Sequence, residues 1–142
     1  MTDKKEALEK YLNLKVNPSD YDENTFETED GEEYLVLTDK EADNKAREYI
    51  LDSLWAFNAD FIFAHSDAFV NLSDWERDEA IKSLTEMQGK LCESANGLVR
   101  CLIADIDEFV DDAIVADGRG HFLSFYDGVE IDLENGLFAY RQ

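Results

Sequence analysis

Residues 98–141, LVRCLIADIDEFVDDAIVADGRGHFLSFYDGVEIDLENGLFAYR, change their hydrophobic period half-way along, and that change decides the fold class. Up to Ile114 the period is helical. At about 100° per residue, Leu98, Val99, Leu102, Ile103, Ile106, Phe109, Val110, Ala113 and Ile114 share one arc, while Asp105, Asp107, Glu108, Asp111 and Asp112 share the other. Beyond Asp117-Gly118-Arg119-Gly120 the period falls to two, in the segments HFLSFY, VEIDLE and LFAYR. These are separated by Asp127-Gly128 and Asn135-Gly136, pairs that tolerate positive φ at both centres of a type I′ hairpin turn. The reading is α+β: a mostly helical single domain, residues 1–142, ending in a three-stranded antiparallel meander.

Upstream, the pattern predicts helices and one short strand. Residues 3–14 form a weakly amphipathic helix with Leu8, Tyr11 and Leu12 inward, and Glu33–Leu37 (EYLVL), bounded by Gly31 and Thr38, reads as a strand that joins the meander. Thr38 with Glu41, and Ser73 with Glu76, have the spacing of capping boxes, in which each side chain satisfies a free N–H at a helix start. The first opens a helix to about Phe57 with Ala42, Ala46, Tyr49, Ile50, Leu54 and Phe57 inward. Asn58 breaks or caps the chain before a second apolar segment, Phe61 to Val70. The Ser73 box opens a helix with Ala80, Leu84, Met87 and Leu91 in line.

Charge dominates the composition. Thirteen Lys and Arg stand against 34 Asp and Glu, a net charge of -21, yet 44% hydrophobic and 12% aromatic residues with one proline suffice for a packed core. Residues 17–37 hold eight acids, among them Glu27, Glu29 and Asp30, and no base, which predicts an exposed, mobile connector peripheral to the domain, as is the N-terminal helix. No run reaches the roughly 18 apolar residues of a membrane span, and the N-terminus lacks the apolar core of a signal peptide, so a cytoplasmic protein is expected. Nine residues of helix between Cys92 and Cys101 exceed the reach of a disulfide and predict buried thiols.

The chemistry-bearing residues fit structure better than catalysis. Asp105, Glu108 and Asp112, at i, i+3 and i+7, have a spacing that suits a divalent cation or an acid/base pair, but a solvated helix face explains them as well, and no EF-hand pattern is present. Asp117–His121 (DGRGH) can offer Arg119 and His121 to an anion, or its glycines can simply end a helix and enter the sheet. His65 reads as a helix residue near the core. With two histidines, no nucleophile elbow and no Gly-rich phosphate loop, the chain is expected to be neither an enzyme nor a cofactor binder. Leu51 and Trp55 lie off the main stripe, set for a second layer or for an apolar self-interface that would make a homodimer.

Helical carboxylates at i, i+3 and i+4 stand about 5–6 Å apart, within a Debye length of about 8–10 Å, so their fields merge into one negative stripe. Such a stripe imitates a phosphate backbone and attracts proteins that hold nucleic acid with Lys and Arg, while the chain itself avoids nucleic acid. The expected contact surface is Asp105, Asp107, Glu108, Asp111 and Asp112, extended by Glu27, Glu29 and Asp30.

The stretches LTDKEADNKAREYILDSLWAFNADFI (37–62) and DGRGHFLSFYDGVEIDLENGLFAYRQ (117–142) resemble short acidic proteins encoded by bacteriophages and prophages, over residues from about 33 to the end. That resemblance brings no catalytic activity and no functional residues. It implies a setting: an inhibitor of a host defence system, with a restriction or CRISPR nuclease complex whose groove is basic as the partner. The alternative is a structural or regulatory phage protein that self-associates.

Overall fold

The computed structural model describes residues 3–142. Along the chain, α1 (Lys4–Leu12) leads into β1 (Val16–Pro18), β2 (Thr25–Thr28) and β3 (Glu33–Thr38), then α2 (Asp39–Asp52). A 3-10 turn (Leu54–Ala56) precedes α3 (Ala59–Ala64) and α4 (Asp74–Leu91); a second (Cys92–Ala95) precedes α5 (Asn96–Leu102) and α6 (Ile106–Asp117). Last come α7 (Arg119–Leu123), β4 (Ile131–Asp132) and β5 (Leu137–Arg141). The fold is α+β, and its contacts divide it into two compact units: a sheet-bearing unit of the described residues up to Arg47 with Asp117–Gln142, and a helical unit, Glu48–Ala116.

In the sheet-bearing unit five antiparallel strands lie in the order β1-β2-β3-β5-β4. β3 is central, and Tyr34, Leu35, Val36 and Leu37 are all buried because both faces of the strand are covered. On one face Tyr34 and Val36 join Val16, Phe26, Leu137 and Ala139 beneath Ala7 and Leu8 of α1. Alternation puts Leu35, Leu37 and Tyr140 on the other. α1 keeps Leu8 inside and Leu12 partly so, but Tyr11 is 55% exposed; the inward position falls to Ala7.

Residues 17–32 are not a mobile connector: they supply β1, β2 and their turns. Val16, Thr25, Phe26 and Thr28 are buried; apart from Glu27, exposed on β2, the acids occupy the loops, where Asp22 accepts from the Asn24 N–H and the Thr25 hydroxyl. Gly31, at φ +86°, closes the β2–β3 turn with its N–H on the Thr28 carbonyl.

The C-terminal segment yields two strands, not three. HFLSFY contributes to α7, which buries Gly120, Phe122 and Leu123, and β5 pairs with β3 in the place such a strand would have taken. Asn135-Gly136 has both residues at positive φ and the Leu137 N–H on the Glu134 carbonyl, as expected, but Glu134 is at positive φ too and Asp132 pairs with Phe138, so the connection is a three-residue loop, 134–136, rather than a two-residue hairpin turn. At Asp127-Gly128 only the glycine has positive φ, so this turn is not type I′; the Asp127 carboxylate instead accepts from the Ser124 hydroxyl and the Val129 N–H.

The helical unit packs Ile50, Leu54, Ile62, Phe63, Leu84, Val99, Phe109, Val110 and Ala113 into its core. Both capping boxes form, Thr38 with Glu41 and Ser73 with Glu76, and Asn58 caps α3 through the Asp60 N–H. The helix expected over 98–114 is broken at Ile103–Asp105, where the Ala104 N–H bonds to the His65 carbonyl instead of continuing the helix. Leu98 is consequently 51% exposed rather than inward, and Tyr49 is 41% exposed beside a buried Ala46 and Ile50. Cys92 and Cys101 are free thiols but exposed, not buried: the first caps α4 at the surface and the second lies on the outer side of α5.

Candidate functional site

Four acids of the helical unit, Asp107, Glu108, Asp111 and Asp112, lie along α6 with no base among them, whereas the acids of α4 are interspersed with Arg77, Lys82 and Lys90. Phe109, Val110 and Ala113 anchor one side of α6 in the core, and the 3.6-residue turn then leaves Asp107, Glu108, Asp111 and Asp112 on the exposed side. Fifteen acids against four bases in residues 48–116 keep the field around this face negative.

The five carboxylates do not play one role. Asp105 sits ahead of α6 and caps it, accepting from the N–H groups of Asp107 (3.1 Å) and Glu108 (3.2 Å). Asp112 accepts from His65 Nε2 at 2.8 Å. Asp105, Glu108 and Asp112 are therefore not a converging i, i+3, i+7 set, and among the described residues no group of three His, Cys, Asp or Glu is arranged to hold a metal ion. Glu108 and Asp111 stay exposed, with no Lys or Arg in ion-pair reach among the described residues. Glu27, Glu29 and Asp30 belong to the other unit, where Glu27 pairs in register with Glu33 and the other two occupy the exposed tip of the β2–β3 turn.

His65 is the polar group that the sequence undervalued. It caps the C-terminus of α3 with its side chain only 10% exposed, packed against Phe61 and Phe109 at ring-centroid distances of 4.7 and 5.2 Å. Its Nδ1 lies 3.0 Å from the Phe61 carbonyl and its Nε2 2.8 Å from Asp112. Both partners are acceptors, so only the imidazolium, with an N–H on each side, satisfies both. Desolvation of the ring lowers its pKa, but the Phe61 hydrogen bond, the Asp112 hydrogen bond and the charges of Asp112 and Glu108 outweigh that and raise it above the ordinary histidine value.

A raised folded-state pKa means that this ion pair contributes its full stability below about pH 6.5 and loses it as pH rises through the folded-state value. Urea unfolding of the wild type between about pH 6 and 9 is expected to show a falling limb that His65→Gln removes. A limb identical in the two proteins would reject the charged pair. Nothing in the sequence announces it, because 47 residues separate the partners.

The Asp117–His121 loop is structural. Gly118, at φ +82°, leads into α7, and Arg119 is engaged by carboxylates rather than left open to an anion. Its Nε donates to Glu130 at 2.8 Å, its Nη1 to Asp39 at 2.8 Å and Asp43 at 3.1 Å, and its guanidinium lies 4.8 Å from the Phe138 ring centroid. Burial lowers the Arg119 pKa, but the Glu130 and Asp39 hydrogen bonds more than reverse this and keep it charged. The Tyr140 hydroxyl donates to the same Glu130, and burial, then that hydrogen bond, push its pKa well up.

Leu51 and Trp55 are both half-buried, and Trp55 lines a cleft with Gln88. Among the described residues no helix is long and apolar enough to cross a membrane. Comparison of the chain with protein-family models, with curated proteins and with solved structures found no match.

Proposed function

We propose that the chain is a non-catalytic binding protein whose α6 face enters the basic groove of a nucleic-acid-binding protein in place of nucleic acid. The observation that carries this reading is a helix held by core residues on one side and offering exposed, laterally fixed carboxylates, Glu108 and Asp111 foremost, on the other. Carboxylates on one helix face about 5–6 Å apart offer Lys and Arg a ladder of negative charge comparable to a phosphate backbone. In the setting implied by the resemblance to phage proteins, the partner is a host restriction or CRISPR nuclease complex, and the chain is its inhibitor in the bacterial cytoplasm.

The test separates recognition from folding. Asp105 and Asp112 are unsuitable targets, since the first caps α6 and the second holds His65. Glu108→Gln with Asp111→Asn removes two charges from the face and relieves like-charge repulsion, so thermal stability is expected to hold or rise slightly. Capture of the basic partner from host lysate at about 0.1 M salt is expected to fall roughly tenfold in affinity for the double variant, and to be lost for the wild type near 0.5 M. Unaltered capture by the double variant, or measurable binding of the chain itself to duplex DNA at physiological salt, would overturn the proposal.

A further inference from the structure

In the helical unit, the turn after α2 and the C-terminal half of α4 flank an open cleft of about 350 Å³ lined by Trp55, Phe57, Asn58, Thr85, Gln88 and Gly89 among others. Gln88 is 94% buried, as 6% of its surface is accessible, and its Nε2 donates to the Trp55 carbonyl at 2.8 Å and the Phe57 carbonyl at 2.6 Å. Carbonyls only accept, so the amide orientation is determined and Oε1 points the other way. No described donor reaches Oε1. Because no side-chain oxygen sealed from solvent is left unpaired among the described residues, Oε1 keeps contact with solvent, on a residue that lines the cleft.

The walls are rigid. Asn96 accepts from the Trp55 N–H at 2.8 Å and donates to the Asp52 carbonyl at 2.7 Å, while the Phe57 ring packs on Phe61 and Phe109 at 5.8 and 5.1 Å. The Thr85 hydroxyl donates to the Ile81 carbonyl, which leaves its oxygen as a second acceptor. Above Gly89 there is open space: a Cβ there would meet nothing within 4 Å.

We propose that this cleft receives a guanidinium group, presented as an arginine side chain of a protein partner. The lining includes the Gln88 and Thr85 side-chain oxygens and the aromatic residues Trp55 and Phe57, none of its residues is charged, and the surrounding unit is strongly negative. An anion finds no countercharge there, and its approach to the donors of the lining, the Asn58 amide and the Trp55 indole N–H, is opposed by the negative charge of the unit. A planar cation that stacks on Trp and spends its N–H groups on oxygens satisfies all three features, whereas a compact ammonium keeps its hydration more readily. The carboxylate of free arginine meets no base in the cleft, which selects the residue within a chain over the amino acid. The site shares no residue with the α6 face and does not depend on that reading.

Binding is read from Trp55 fluorescence in the full chain carrying Trp75→Phe, a substitution at a residue 72% exposed. N-acetyl-arginine amide is expected to give a saturable change, with the citrulline and lysine counterparts at least about tenfold weaker. Gly89→Leu fills the open space and favours the helix, so it should abolish the response while leaving circular dichroism unchanged. Absence of a saturable response to the arginine amide, equal binding of the citrulline compound, or full binding by folded Gly89→Leu would each overturn the site. Free arginine binding about tenfold tighter than its blocked amide would overturn the protein-borne source. Loss of this response leaves capture through α6 untouched, so the two proposals fail separately.

Discussion

Arg119→Met is expected to destabilise the protein by about 3 kcal/mol, seen as a fall of roughly 10 °C in thermal midpoint. The guanidinium is 10% exposed and joins Asp39, Asp43 and Glu130, so its loss leaves three carboxylates facing one another without a countercharge. Asp39 and Asp43 are 71% and 56% exposed and recover hydration, which holds the cost at the lower end for a broken buried pair. Glu130, 31% exposed and also bound by the buried Tyr140 hydroxyl, recovers least. Arg119→Lys keeps the charge but lacks the fork that spans Nε to Glu130 and Nη1 to the two aspartates, and should restore less than half of the loss. A loss below about 1 kcal/mol for the methionine variant would show the cluster to be a solvated surface network.

Gly120→Ala is expected to cost at least about 3 kcal/mol in urea unfolding, although it adds a single methyl group. Its Cβ would lie 2.5 Å from the Gly128 carbonyl oxygen, 2.7 Å from the Glu130 nitrogen and 2.8 Å from the Val129 carbonyl carbon. All three are main-chain atoms, so no side chain can swing aside, and α7 must lift from the 127–130 turn. That movement carries Glu130 from Arg119 and Tyr140, so the effects of Gly120→Ala and Arg119→Met should sum to more than the double variant loses. Gly97→Ala is the control: its Cβ meets nothing within 4 Å, and the helical position predicts no loss or a slight gain. Equal stability of the two alanine variants would refute close packing of α7 on the turn.

The sequence reading succeeded where a short stretch carries its own physical reason and failed where a distant partner decides. Both capping boxes, the Asn58 cap, β3 and the Asn135-Gly136 turn depend on residues within four positions of each other. β1 and β2 were missed because their inward residues are few and partly polar, Val16, Thr25, Phe26 and Thr28, and acquire meaning only when α1 and β3 cover them. HFLSFY alternates like a strand, but Gly120 lets α7 approach the 128–130 backbone and β3 claims the edge of β5. At the candidate site the exposure of the α6 acids was legible from period alone. The capping role of Asp105 was not separated from its neighbours, since a helical arc passes through Ile103–Asp105 without registering that the backbone bonds there turn to His65.

By itself, then, the sequence determined the mixture of helix and sheet, the strong negative charge, the helix starts and the acidic face of α6, because composition, hydrophobic period and caps act locally. Only the tertiary structure decided which carboxylates are engaged and which stay exposed. His65 comes to Asp112 across 47 residues and Arg119 to Asp39 across 80, and Gln88, buried beside a cleft, turns its amide nitrogen to the Trp55 and Phe57 carbonyls. Each of these pairings is enforced by the desolvation of a polar group among buried neighbours, a cost that exists only once the chain has folded around it.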